Sequence, residues 1–283
     1  MSGLTPDPIP LVDLRAQYSL IQAEVVGAIE RVLGSGRFVS GPEVERFESA
    51  FVDFCEVRYA VAMNSGTSAL HVALVLAGVG PGDEVVTVAH TFVATVAAIR
   101  YTGATPVLVD VEPATYTMDP TALAAGITSR TRAVLPVDLY GACADLTAIE
   151  AVARSHGVPV IEDACQAHGA RHAGQRAGSF GEMACFSFYP GKNLGAYGEG
   201  GAMVTDDEDL AHRARALRDH GQDRKYHHSV VGFNYGWTNC RAPSSMPNCD
   251  TAMSGTPPAA ATRLGTPNCC PGRTLTSWPN ARG

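Results

Sequence analysis

Glu182-Met-Ala-Cys-Phe-Ser-Phe-Tyr-Pro-Gly-Lys-Asn-Leu-Gly-Ala-Tyr-Gly-Glu-Gly-Gly201 is the stretch around which the chain is organised. Cys185-Phe-Ser-Phe-Tyr189 reads as a strand, and Gly201-Ala-Met-Val-Thr205 as a second. Between them Pro190, Gly191, Gly195, Gly198 and Gly200 favour turns and close backbone approach. One lysine, Lys192, is thereby presented on glycine-framed turns. A lysine amine can condense with a carbonyl compound, which makes Lys192 a candidate for covalent chemistry. Taken alone, the spacing favours an ordinary solvated lysine.

On either side of this stretch, short β-branched runs alternate with helical patterns. Strands are expected at Tyr59–Met63, Glu84–Val88, Pro106–Val111, Ala133–Leu139 and Val158–Ile161, with helices starting near Ser68, Ala94, Pro120, Asp145 and Asp207. Such alternation predicts an α/β fold: a mainly parallel sheet with helices on both faces. Ligands of these folds sit beyond the carboxyl ends of the strands, where Asn64, Phe92, Tyr140 and Asp163 all fall. Nearer the amino terminus, Leu14, Tyr18, Ile21, Val25, Ile29 and Val32 recur at helical spacing after Asp13, a plausible N-cap. Gly34–Gly41 breaks that pattern, and Val44, Phe47, Phe51 and Phe54 restart it after Pro42.

The 283 residues, 46% of them hydrophobic, suffice for one large domain or two modest ones. A formal net charge of −7 without a basic run argues against nucleic-acid or anionic-membrane surfaces and for a small-molecule partner. Met1-Ser-Gly-Leu-Thr-Pro has neither a basic nor an apolar leader pattern, and the apolar run around Ala69–Val79 is too short to span a bilayer, so a cytoplasmic protein is expected. Of eight cysteines, Cys55, Cys143, Cys165 and Cys185 lie in core-like segments without CxxC or zinc spacing; they read as reduced packing residues, and no metal is expected.

Two further segments carry chemistry. Ser65-Gly66-Thr67-Ser68 follows a strand and opens a helix, so its N–H groups and the helix dipole make an anion site; plain N-capping explains it equally well. Asp163 ends the apolar run Val158-Pro-Val-Ile-Glu-Asp, where an unpaired carboxylate is costly, so it calls for a cationic partner.

Ser187-Phe-Tyr-Pro-Gly-Lys192-Asn-Leu-Gly-Ala-Tyr-Gly-Glu-Gly-Gly201, Glu162-Asp-Ala-Cys-Gln-Ala-His-Gly169 and Asn64-Ser-Gly-Thr-Ser-Ala-Leu70 resemble the signature blocks of the DegT/DnrJ/EryC1/StrS family, in the family's order, over about Ile9 to Tyr235. The resemblance implies a sugar aminotransferase dependent on pyridoxal 5′-phosphate (PLP), with the fold type I large domain of the aspartate aminotransferases. It implies that Lys192 forms the Schiff base and moves the proton, and that Asp163 pairs with the pyridinium nitrogen. By the same resemblance Gln166 bonds the ring's phenolic oxygen, while Gly66, Thr67, Ser68 and Ser187 hold the phosphate. Phe92 would stack on the ring, with a buried core phenylalanine as the alternative. His168 reads as a satisfied histidine behind the site. Asn234, in Gly232-Phe-Asn-Tyr235, matches the asparagine that relatives lend to a neighbouring subunit's phosphate, which implies a homodimer.

The implied substrates are an amino-acid donor, expected to be glutamate, and a nucleotide-linked keto-deoxysugar such as a dTDP-3-keto-6-deoxyhexose. Cyclitol and aminobenzoate-type enzymes of the family stay open. So do an inactive relative that only binds, and a doubly wound nucleotide-binding protein in which Lys192 is incidental.

Past Tyr235 the resemblance stops. Residues 1–235 read as the PLP-binding large domain, the family's small second domain is missing, and 236–283 has a composition for disorder, yet holds both tryptophans and four cysteines. A frameshift accounts for this. Reading the third base of each codon with the next two, Trp237/Thr238 must give Asp and Asn239/Cys240 must give Leu. Permitted third bases complete Arg-Met-Asp-Glu-Leu-Gln-Gly-Ala-Val-Leu, which resembles the family at this point.

Overall fold

A computed structural model describes residues 12–240. Seven strands form the main sheet: β1 (Tyr59–Met63), β2 (Glu84–Val88), β3 (Thr105–Val109), β4 (Thr131–Val134), β5 (Ile161–Asp163), β6 (Met183–Ser187) and β7 (Gly201–Thr205). Ladders join β3-β2-β4 and β5-β6-β7-β1, and parallel bridges Val134–Val160 and Val137–Asp163 join the two sets. The order is therefore β3-β2-β4-β5-β6-β7-β1. Only β7 runs antiparallel to its neighbours. It follows β6 through the glycine-rich turn with no crossover helix, and a parallel return needs one.

Alternation along the strands sends side chains to two cores. From β1, Val61 and Met63 face α3 (Gly66–Leu76), α4 (Val93–Tyr101) and α7 (Glu208–Arg218), whereas Ala60 and Ala62 face α2 (Pro42–Cys55). Val86 and Val134 turn to a third cluster, under α5 (Pro120–Gly126) and α6 (Leu146–Ser155). Helices cover both faces, as the alternation predicts. The amino-terminal α1 (Leu14–Ser35) is capped by Asp13, whose carboxylate accepts from the N–H of Arg15 and Ala16, and it ends at Ser35, three residues beyond the periodic pattern, with Gly36 in the left-handed region.

Strand ends differ from expectation where proline intervenes. β4 stops at Val134, before Pro136, and the chain continues to a short turn at Leu139–Gly141 instead of a strand to Leu139. β5 starts at Ile161 rather than Val158, beyond Pro159. Proline offers no N–H to a ladder.

The packed structure also runs past Tyr235, where the domain was expected to end. Trp237 and Asn239 are fully buried. Residues 241–283 of the expected tail lie outside the described residues. Among the described residues no helix is long and apolar enough to cross a membrane, and no cluster of three metal-ligating side chains occurs.

Candidate active site

Asp163 emerges at the carboxyl end of β5, and Lys192 on the turn after β6, and both line one cavity of about 520 Å³. The cavity thus lies where an open α/β sheet places ligands. Lys192 is fixed through its backbone, its N–H donating to the Tyr189 carbonyl at 2.8 Å. Its charge acts on Asp163 and on the ring of His168.

Asp163 is 4% exposed, and its carboxylate accepts from the Thr95 hydroxyl at 2.7 Å and from the Cys165 N–H at 3.3 Å. Burial pushes its pKa up; those two donors and the Lys192 charge pull it back. No ion pair to Asp163 occurs among the described residues, so the cationic partner that sequence reasoning called for is not supplied by a protein side chain in direct contact. Thr95 escaped that reasoning because it sits 68 residues away and is brought over only by α4.

Gly66 and Thr67 line the same cavity at the start of α3, opposite Ser187. The first N–H groups of a helix lack partners within it and attract anions. Ser65 caps the helix by accepting from the Ser68 N–H at 3.1 Å. Ser68 itself is turned inward: its hydroxyl bonds Asn64 Oδ1 at 2.6 Å, and it is not brought to the cavity wall with Gly66 and Thr67.

Gln166 also lines the cavity, and its Oε1 accepts the Tyr140 N–H at 3.0 Å, which leaves its NH₂ as the end available to a ligand. Tyr140 holds φ 57°, a conformation a non-glycine residue adopts at some cost. Phe92 is 63% exposed on the cavity wall, which excludes the buried-core alternative. Asn234 is exposed and outside the cavity; its carbonyl accepts from the Asn64 side chain at 3.3 Å.

His168 lies between Phe186 and Phe188, at 5.3 and 5.5 Å, with its ring nitrogens shielded from solvent and the Ser187 backbone as a polar neighbour. Burial, reinforced by the Lys192 charge, pushes its pKa down to about 3, so the ring is neutral. Behind Asp163, Asp138 and Glu162 are wholly buried; burial raises both, Asp138 to about 6 with the Asp163 charge adding to the rise and a hydrogen bond with Glu162 opposing it, and Glu162 well above the usual carboxylate range with Asp138 adding to the rise. Glu162 accepts from the Gly178 N–H at 2.9 Å and Asp138 from the Ala144 N–H at 2.8 Å, so this pair ties loops together under the site.

Known proteins resemble this chain in sequence and in fold. A transaminase from Streptomyces venezuelae named for dTDP-3-amino-3,4,6-trideoxy-alpha-D-glucose is 50% identical over 235 residues, 83% of this chain, and the chain spans 62% of that relative's length. The X-ray structure of S. venezuelae DesV in complex with a ketimine intermediate superposes with a TM-score of 0.85 at 47% identity, covering 87% of this chain and 66% of that one. A Bacillus subtilis structure of NtdA with bound cofactor PMP gives 0.81 at 32% identity, covering 88% and 57%. These neighbours fix the fold as the large domain of a type I aminotransferase. The family pattern matches residues 19–246, and the chain belongs to the DegT/DnrJ/EryC1/StrS aminotransferase family.

Proposed function

We propose that this chain is the cofactor-binding portion of a PLP-dependent aminotransferase that carries an amino group from an amino acid, glutamate in our reading, to a keto group of a nucleotide-linked deoxysugar of the dTDP-3-keto-6-deoxyhexose kind. The observation that carries this reading is the convergence of Asp163, Lys192 and the amino end of α3 on one cavity. An anion site, a buried carboxylate, a primary amine and an exposed aromatic ring together suit a phosphorylated pyridine aldehyde, and few other ligands need all four. PLP, when bound, supplies an aldehyde for amines and an electron-withdrawing ring.

The chain's own residues divide the remaining work. Gly66, Thr67 and Ser187 hold the phosphate, and Phe92 covers a ring face. Asp163, kept in place by Thr95, retains a proton on the ring nitrogen. Gln166 offers its NH₂ to the phenolic oxygen. Lys192 would hold the cofactor through its Nζ at the aldehyde carbon, with water leaving, and, once displaced by the donor amine, the free Nζ would accept the proton of the donor's α-carbon and deliver it to the carbon that had carried the aldehyde. In this reading Asn234, exposed and away from its own cavity, serves the site of a second copy in a homodimer.

We attribute the sequence from Gly236 onward to the loss of one nucleotide near the Tyr235 codon, so the activity belongs to the frame-corrected form. Glutamate and a dTDP-linked 3-keto-6-deoxyhexose given to that form yield the 3-amino sugar and 2-oxoglutarate, and the Lys192→Ala protein yields neither. Turnover by Lys192→Ala overturns the assignment.

A further inference from the structure

The anion cup is held from behind by a segment that the sequence placed outside the domain. Trp237 is fully buried, and its indole N–H donates to the Glu199 carbonyl at 2.8 Å. Its ring meets Phe47 edge-on at 4.9 Å and stacks on Phe188 at 5.8 Å. It fills the space beside Gly200 so fully that a Cβ there would fall 2.5 Å from the indole. Gly201, the next residue, abuts the cup: a Cβ on it would lie 2.2 Å from the Ser65 carbonyl carbon, and one on Gly66 would lie 2.7 Å from Ser187 Cβ. One run of contacts thus leads from Trp237 through Glu199–Gly201 and Ser65–Gly66 to Ser187.

The far end of the segment is anchored as well. Asn239 Oδ1 accepts from the N–H of Gly41 at 3.1 Å and of Val44 at 3.2 Å, capping α2, whose own cap position is a glycine without a side chain to do so. Ser40 N–H donates to the Trp237 carbonyl at 3.1 Å and Asn239 N–H to the Phe38 carbonyl at 2.8 Å.

We infer that Trp237 is a positioning residue for the phosphate-binding turn: its indole presses the Glu199–Gly201 backbone against Ser65–Gly66 and so sets the spacing between the amino end of α3 and Ser187. A turn built on Gly198, Gly200 and Gly201 has few side chains with which to fix itself. A rigid bicyclic ring with its one polar atom satisfied supplies the missing constraint. The inference concerns the chain as it stands, since a frame-corrected sequence no longer holds Trp237, and it rests on the reading above only for the identity of the anion.

The chain holds two tryptophans, so Trp278→Phe leaves Trp237 as the sole fluorophore. Its emission is expected at the short wavelengths of a buried indole and resistant to iodide; solvent-like emission overturns the inference. Calorimetric titration with inorganic phosphate, PLP and unphosphorylated pyridoxal then separates positioning from general stability. In Trp237→Leu, and in Trp237→Phe, which keeps an aromatic filler but loses the bond to Glu199, phosphate and PLP are expected to bind about tenfold more weakly, with pyridoxal unchanged. Equal weakening of all three, or of none, overturns the inference, as does a parent chain that binds no phosphate. Failure of the cofactor reading looks different: phosphate binding that depends on Trp237, without any covalent adduct at Lys192.

Discussion

Thr95 has no chemistry of its own, yet it donates the short hydrogen bond that holds Asp163. Thr95→Val preserves shape and leaves a buried carboxylate oxygen without its donor, which costs about 1–3 kcal/mol. Because the folded pKa of Asp163 is already raised above its ordinary 3.8, its contribution is lost as pH rises, and the variant is expected to lose more stability at pH 8 than below that ordinary value in urea unfolding, with Thr95→Ser restoring it. His168 gives the opposite slope. Unfolded, it takes up a proton below its ordinary value of 6.5; folded, it does so only near 3, so stability falls as pH drops between the two. His168→Phe, which fits between Phe186 and Phe188, is expected to stabilise the chain by about 2 kcal/mol more at pH 5 than at pH 7.5. Lys192, Asp163 and Gln166 were legible in the sequence because their residue types carry the chemistry directly. Thr95 and the burial of the His168 ring between Phe186 and Phe188 were not, since their roles exist only through contacts that the fold makes.

At the scale of elements, the short β-branched runs gave the sheet and its helical cover, and the proline positions shifted the ends of β4 and β5. The antiparallel direction of β7 follows from the turn before it, and that turn is closely packed. Gly201→Ala would place its Cβ 2.2 Å from the Ser65 backbone. It is expected to destabilise the chain by roughly 1–3 kcal/mol, as overpacking does, and to weaken phosphate binding with it. On the opposite face, Phe51 is wholly buried among Phe47, Phe54, Phe186 and Phe188. Phe51→Ala should cost about 3–5 kcal/mol in the same unfolding assay, while leaving the cavity residues in place. What no local pattern announced was the end of the domain. Trp237 and Asn239 belong to it through contacts with residues nearly 200 positions earlier.

For the whole molecule, the frame argument makes a prediction about the gene: a single nucleotide inserted near the Tyr235 codon restores Arg-Met-Asp-Glu-Leu-Gln, and sequencing that finds the frame intact, with the present tail verified in the mature protein, contradicts it. The restored form is also expected to be a dimer whose PLP retention falls with Asn234→Ala. The central claim, however, concerns two side chains in one cavity. The chain is incubated with PLP, treated with borohydride and digested, and the peptides are mapped by mass spectrometry. The account predicts a single pyridoxyl-phosphate adduct on Lys192, abolished in Lys192→Ala and strongly reduced in Asp163→Asn; adducts scattered over other lysines, or labelling of Lys192 that Asp163→Asn leaves unchanged, would contradict it.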